Sequence, residues 1–99
     1  MASVKLKAIE GPDKGLEFQI DQPEVVLGRG EDCDVLLTDL QASRTHAKIL
    51  QDGDDYFLCD LGSTNGTFLN GVKIRERLLV NGDRIRIGNN IFLLEVTED

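Results

Sequence analysis

The sequence predicts an all-β sandwich, and three observations carry that expectation. Apolar and polar residues alternate with a period of two almost from end to end. No stretch of ten residues shows helical spacing. Turn signals built from Gly, Pro, Asn and Asp recur about every 8–12 residues, the interval of sandwiches and barrels. Short strands of uneven length favour the sandwich over a closed barrel.

The elements follow in order. Val4, Leu6 and Ala8 alternate with Lys5 and Lys7, and after the turn at 11–15 the pattern resumes as Leu16, Phe18 and Ile20. Two such runs around one turn make a hairpin. Pro23 ends it. Val25, Val26 and Leu27 form the next strand and run into Gly28 and Arg29, with further strands at 35–37 and 46–50. An acidic turn at 52–55 leads into a strand at 56–59. Residues 60–71 read as a strand end, a tight polar loop, a short strand and an Asn-Gly hairpin turn at 70–71. Asn-Gly pairs also stand at 65–66 and 81–82, and the last hairpin joins 84–87 to 91–96, leaving a frayed tail that holds Thr97. No repeat, linker or low-complexity segment interrupts the chain, so residues 1–99 read as one domain.

Bulk properties narrow the function. A net charge of −7 argues against nucleic acid or an anionic membrane as partner, both of which call for a basic surface. No apolar run is long enough to span a bilayer, and the N-terminus lacks the apolar core of a signal peptide, so the cytoplasm is the expected location. Cys33 and Cys59 lack CxxC spacing, which signals neither zinc nor a redox pair, and both read as small core residues. Residues 11–15 have no following Lys-Ser/Thr, so they do not form a nucleotide-phosphate loop. The one histidine has no partners placed to complete a triad or a zinc site. A binding module without cofactor or metal, not an enzyme, is the expectation.

Three pieces suggest what it binds. The loop Ser63-Thr64-Asn65-Gly66 sets hydroxyl and amide side chains beside exposed main-chain N–H groups, which suits gripping a peptide or an anion. Gly28 lets the backbone approach closely, and Arg29 carries a planar fork that matches phosphate oxygens. Ser43-Arg44-Thr45-His46 adds a hydroxyl and a second cation. Taken singly, each has a plainer reading: a solvated arginine, a turn-capping serine, a core histidine, a well-made loop. In this order, the three together resemble the forkhead-associated (FHA) domain, a phosphothreonine-peptide reader.

The resemblance implies an eleven-stranded, antiparallel-rich sandwich with its binding loops at one end. It implies that Arg29, Ser43 and Thr64, with Arg44 assisting, hold the phosphate, and that Asn65 holds the peptide main chain. Gly28, His46, Ser63 and Gly66 would support the site. The implied partner is a phosphothreonine-containing protein downstream of a Ser/Thr kinase, or the kinase itself, met by a monomer or weak dimer. Residues 39–42 and the turn at Asn89 and Asn90 would read the partner C-terminal to the phosphothreonine. The competing expectation is a phosphate-independent scaffold that associates through an exposed sheet face. Either Ile91 and Leu93 or Phe92 and Leu94 must point outward.

Overall fold

The computed structural model describes residues 2–98, which form eleven strands and no helix. They are β1 (Ala2–Glu10), β2 (Glu17–Ile20), β3 (Glu24–Gly28), β4 (Val35–Leu36), β5 (Ala47–Asp52), β6 (Asp55–Asp60), β7 (Thr67–Leu69), β8 (Val72–Ile74), β9 (Glu76–Leu79), β10 (Arg84–Ile87) and β11 (Asn90–Glu98). One sheet has the order β2-β1-β11-β10-β7-β8 and the other β4-β3-β5-β6-β9. All pairs are antiparallel except β3 with β4. The predicted sandwich is the fold observed.

Alternation explains the two layers. One set of side chains from each strand lies between the sheets, where Leu6, Leu27, Ile49, Leu58, Ile85, Ile87, Phe92 and Leu94 are fully buried. Burying a side chain of this size stabilises the fold by roughly 1.5–3 kcal/mol. The hairpin turn at 70–71 forms with positive φ at both Asn70 (49°) and Gly71 (86°), as a two-residue primed turn requires.

Some expectations need correction. The segment 72–80, to which the sequence assigned no strand of its own, carries β8 and β9; three of the four β9 side chains are exposed, so little hydrophobic pattern marks it. The frayed tail is instead ordered strand through Glu98: Val96 pairs with Val4, Thr97 pairs with Ser3, and the Val96 N–H donates to Asn81 Oδ1 (2.8 Å). Asp99 lies outside the described residues. Cys59 is buried, but Cys33 is only half-buried, in the loop between β3 and β4. Phe92 and Leu94 point inward, and Ile91 and Leu93 face outward, half covered. No helix among the described residues is long and apolar enough to cross a membrane.

Candidate functional site

Three loops meet at one end of the sandwich: 29–34 after β3, 37–46 before β5, and 61–66 after β6. Backbone bonds lace the first to the second. The Arg29 and Gly30 N–H groups donate to the Ser43 and Arg44 carbonyls (3.0 and 2.9 Å), and the Leu37 N–H donates to the Gly28 carbonyl (2.8 Å). Gly28 is buried where this crossing is tightest, and a Cβ there would collide with the Arg44 carbonyl oxygen and lie 3.0 Å from Cys33 Sγ. Its φ is not positive; close approach is the reason for glycine. Cys33 Sγ donates to the same Arg44 carbonyl (3.1 Å), and burial pushes its thiol pKa up. A thiol so held is a poor nucleophile.

Arg29 is exposed, yet it is anchored. Its Nε donates to the Ala42 carbonyl (2.9 Å), which leaves both Nη groups without a hydrogen-bond partner among the described residues. Arg44 is exposed and forms no ion pair among the described residues. Two cations therefore stand beside the loop without internal neutralisation.

His46 holds the serine from beneath. It is fully buried; its Nδ1 accepts the Ser43 main-chain N–H (2.9 Å), so the ring proton sits on Nε2 and donates to the Gly66 carbonyl (2.9 Å). One ring thus ties loop 37–46 to loop 61–66. Ser43 Oγ accepts the Thr64 N–H (3.0 Å), an arrangement that leaves the hydroxyl proton free to donate. The histidine bonds the serine backbone rather than its hydroxyl, so the pair is not arranged as base and nucleophile.

The third loop is organised by Asp60, to which the sequence alone assigns no role. Asp60 Oδ1 accepts the Ser63 and Thr67 hydroxyls (2.5 and 2.6 Å), and Oδ2 accepts the Gly62 and Ser63 N–H groups (3.1 and 3.2 Å). Burial alone would raise its pKa, but these four donors outweigh it and hold the carboxyl below the usual range. Ser63 Oγ in turn accepts the Gly66 N–H (3.0 Å), and Gly66 takes φ +91°. An aspartate three residues before a serine is a turn signal, which was the available clue.

Asn65 is exposed, with its Nδ2 donating to the Gln41 carbonyl (2.8 Å). Its donor is thus engaged within the chain, and its Oδ1 has no hydrogen-bond partner among the described residues. Residues 38–42 are anchored by Asp39, a buried carboxylate that accepts the Gln41 and Asn89 N–H groups (2.9 and 2.5 Å). Buried Asp13 and Asn90 form a second junction with the exposed Thr38, with Asn90 Nδ2 donating to Asp13 Oδ2 (2.7 Å) and Thr38 Oγ1 to Oδ1 (2.7 Å). Beside Asn65 lies a hollow of about 290 Å³ lined by Gln41, Asn65, Phe68, Arg86, Gly88 and Asn89. The structure therefore brings Arg29, Ser43, Arg44, Thr64 and Asn65 onto adjoining loops, with Gly28, His46, Ser63 and Gly66 beneath or within them. Among the described residues no group of three or more His, Cys, Asp or Glu is placed to hold a metal.

This arrangement offers cations, a donating hydroxyl and loop N–H groups on one rim, the chemistry of an anion site. The FHA-domain family model matches residues 25–88. The chain is 41% identical over 86 residues to the oxoglutarate dehydrogenase inhibitor of Corynebacterium jeikeium, covering 87% of this chain and 60% of that protein. It is 38% identical over 86 residues to the glycogen accumulation regulator GarA of Mycolicibacterium smegmatis, covering 87% and 54%. The chain thus spans little more than half the length of these relatives. Among solved structures, an FHA domain studied for its phosphothreonine-dependent interactions superposes with a TM-score of 0.90 at 34% identity, covering 98% of this chain and 99% of that one.

Proposed function

The chain belongs to the FHA family, and from that premise we propose that it binds phosphothreonine in partner proteins phosphorylated by a Ser/Thr kinase. The observation that carries this reading is the Ser43 hydroxyl. It accepts the Thr64 N–H, shares its loop with Arg44, and lies beside Arg29, whose main-chain N–H donates to the Ser43 carbonyl. Arg29 and Ser43 donate to the phosphate, Arg44 adds charge, and Thr64 completes the opposite wall. Asn65 exchanges its Gln41 carbonyl for the peptide main chain, so binding releases one internal bond and forms another in its place. Residues 1–99 act as one FHA unit, a binding and regulatory module of the cytoplasm rather than an enzyme.

Charge-assisted hydrogen bonds contribute about 1.5–3 kcal/mol each. Three or four of them, less the cost of ordering a peptide, lead to a complex in the micromolar range, about −8 kcal/mol. A phosphoserine peptide lacks one methyl, which decides about 1–3 kcal/mol, so it binds more weakly but measurably. The test is titration with a degenerate phosphothreonine peptide pool, then with phosphoserine and unphosphorylated forms of the best peptide. Arg29→Ala should cost about 10- to 150-fold in affinity, the loss of one such bond, with a cooperative thermal melt lowered by no more than the loss of its one internal bond to the Ala42 carbonyl. Undiminished binding by that variant would place the phosphate elsewhere. The phosphate-independent scaffold has less support, because Ile91 and Leu93 are half covered on their outward face rather than bare.

A further inference from the structure

Basic residues collect on the outward face of the six-stranded sheet, in a chain whose net charge is −7. Arg84 and Arg86 are the exposed pair of β10, and Ile85 and Ile87 are buried beneath them. In register, Arg86 lies between Phe68 of β7 and Ile91 of β11, and Phe68 lies beside Lys73 of β8. Arg84 stands opposite Leu93, which stands opposite Lys7. With Lys5, this face carries five cations against three acids, Glu10, Glu17 and Glu95. Glu17 is held by Lys5 at 3.0 Å, and neither arginine forms an ion pair among the described residues. The Arg86 guanidinium lies over the Phe68 ring, 4.2 Å from its centroid, and cation–π attraction holds it there.

This face adjoins the candidate site. Arg86 lines the hollow beside Asn65, and it also lines a second hollow of about 430 Å³ with Asn70, Gly71, Arg84 and Ile91. Gln41 and Asn89, from the loops expected to read the partner C-terminal to the phosphothreonine, line the first hollow. A hollow of that volume is about 8 Å across, two to three residues of extended chain. Beyond it, Arg86 and Arg84 are two positions apart on one strand, about 7 Å, which matches alternate residues of an extended segment.

We propose that Arg86 and Arg84 form an acidic-segment subsite, which takes carboxylate side chains of the same phosphorylated partner, C-terminal to the phosphothreonine. Charge complementarity and continuity with the phosphate site select this occupant. The proposal rests on the phosphothreonine reading above.

The test uses two synthetic peptides, each with one phosphothreonine followed by two alanines. One continues Glu-Ala-Glu and the other Gln-Ala-Gln. On the wild-type protein at low salt the glutamate peptide should bind about five- to twentyfold tighter, given exposed pairs of modest strength. That ratio should fall toward one in 1 M salt, where the screening length is about 3 Å, and toward one in the double variant Arg84→Gln, Arg86→Gln. A ratio near one on the wild-type protein, with both peptides still requiring the phosphate, overturns this subsite and leaves the phosphothreonine reading standing. A ratio that survives the double variant places the acidic contact elsewhere and overturns it too. Should the double variant melt early, the salt dependence on the wild-type protein decides. Failure of both peptides and of the degenerate pool to bind removes the phosphothreonine reading and this one with it. Self-association that the double variant abolishes, with a peptide ratio of one, assigns the face to a second copy of the chain instead.

Discussion

At the scale of single residues, the site rests on groups that never touch a ligand. A methyl group at Gly28 would overlap the Arg44 carbonyl, and both chain segments there are fixed by main-chain bonds. Gly28→Ala should therefore destabilise the protein by about 1–3 kcal/mol, the usual effect of overpacking. A urea titration would register it, and phosphopeptide affinity should fall in parallel because Arg29 and Arg44 shift with the backbone. Asp60 gives a second test. Its folded pKa is lowered, so its contribution is present above the unfolded value and is lost as pH falls through the folded one. Asp60→Asn should cost about 1–3 kcal/mol at neutral pH, from impaired hydrogen bonds to Ser63 and Thr67. The gap between variant and wild type should narrow as pH drops below the ordinary aspartate range. A gap that stays constant down to acid pH would mean that ionised Asp60 is not the organiser of the loop.

At the scale of elements, Asp39 ties the 38–42 loop directly to the β10–β11 turn, beside the link from Thr38 to Asn90 through Asp13. Asp39 is 3% exposed and takes main-chain donors from both segments. Gly88 is pressed against it, since a Cβ there would lie 2.5 Å from Asp39 Oδ2. Asp39→Asn removes the charge and sets an amide donor against donors. Local opening should follow, seen as amide exchange at Gln41 and Asn89 faster by about tenfold, with the β5–β6 amides unchanged. Uniform acceleration across both sheets would show that the residue serves global stability instead of this loop. The same two segments line the hollow beside Asn65, so loosening them should also blunt discrimination among peptides.

For the molecule as a whole, the first and last strands are neighbours. β1 lies between β2 and β11 and supplies Val4, Leu6 and Ala8 to the core. Removing residues 1–8 would strip a sheet interior, leave β2 unpaired and bare one edge of β11, so the truncated chain should not fold. Loss of dispersed amide resonances in the NMR spectrum would show this. Because such pairing closes nearly the full chain, folding should be slow for this size, in the millisecond-to-second range of non-local β topologies.

What the sequence determined by itself is the set of features in which chemistry and pattern are local. The hairpin of Val4, Leu6 and Ala8 with Phe18 and Ile20, the Asn70-Gly71 turn and the last hairpin each lie within about twenty residues, where alternation and turn chemistry suffice. The three pieces around Arg29, Ser43 and Asn65 were legible for a similar reason, since their residue types in that order already suggest an anion site. The tertiary structure alone decided everything that joins distant segments. Asp13 and Asn90 bond across 77 positions, and Asp39 meets Asn89 across 50. Nothing in either neighbourhood announces its partner. Four donors converge on Asp60 only in the fold, and β9 carries no hydrophobic alternation because it is an edge strand with exposed side chains. In the sequence Arg84 and Arg86 are simply the polar positions of an alternating strand. Only the sheet register, which sets Phe68 and Lys73 beside them and brings the Asn65 loop to one end, makes them a surface. Local propensity follows from neighbours in the chain, whereas a binding surface follows from neighbours in space, and pairing of strands is what converts one into the other.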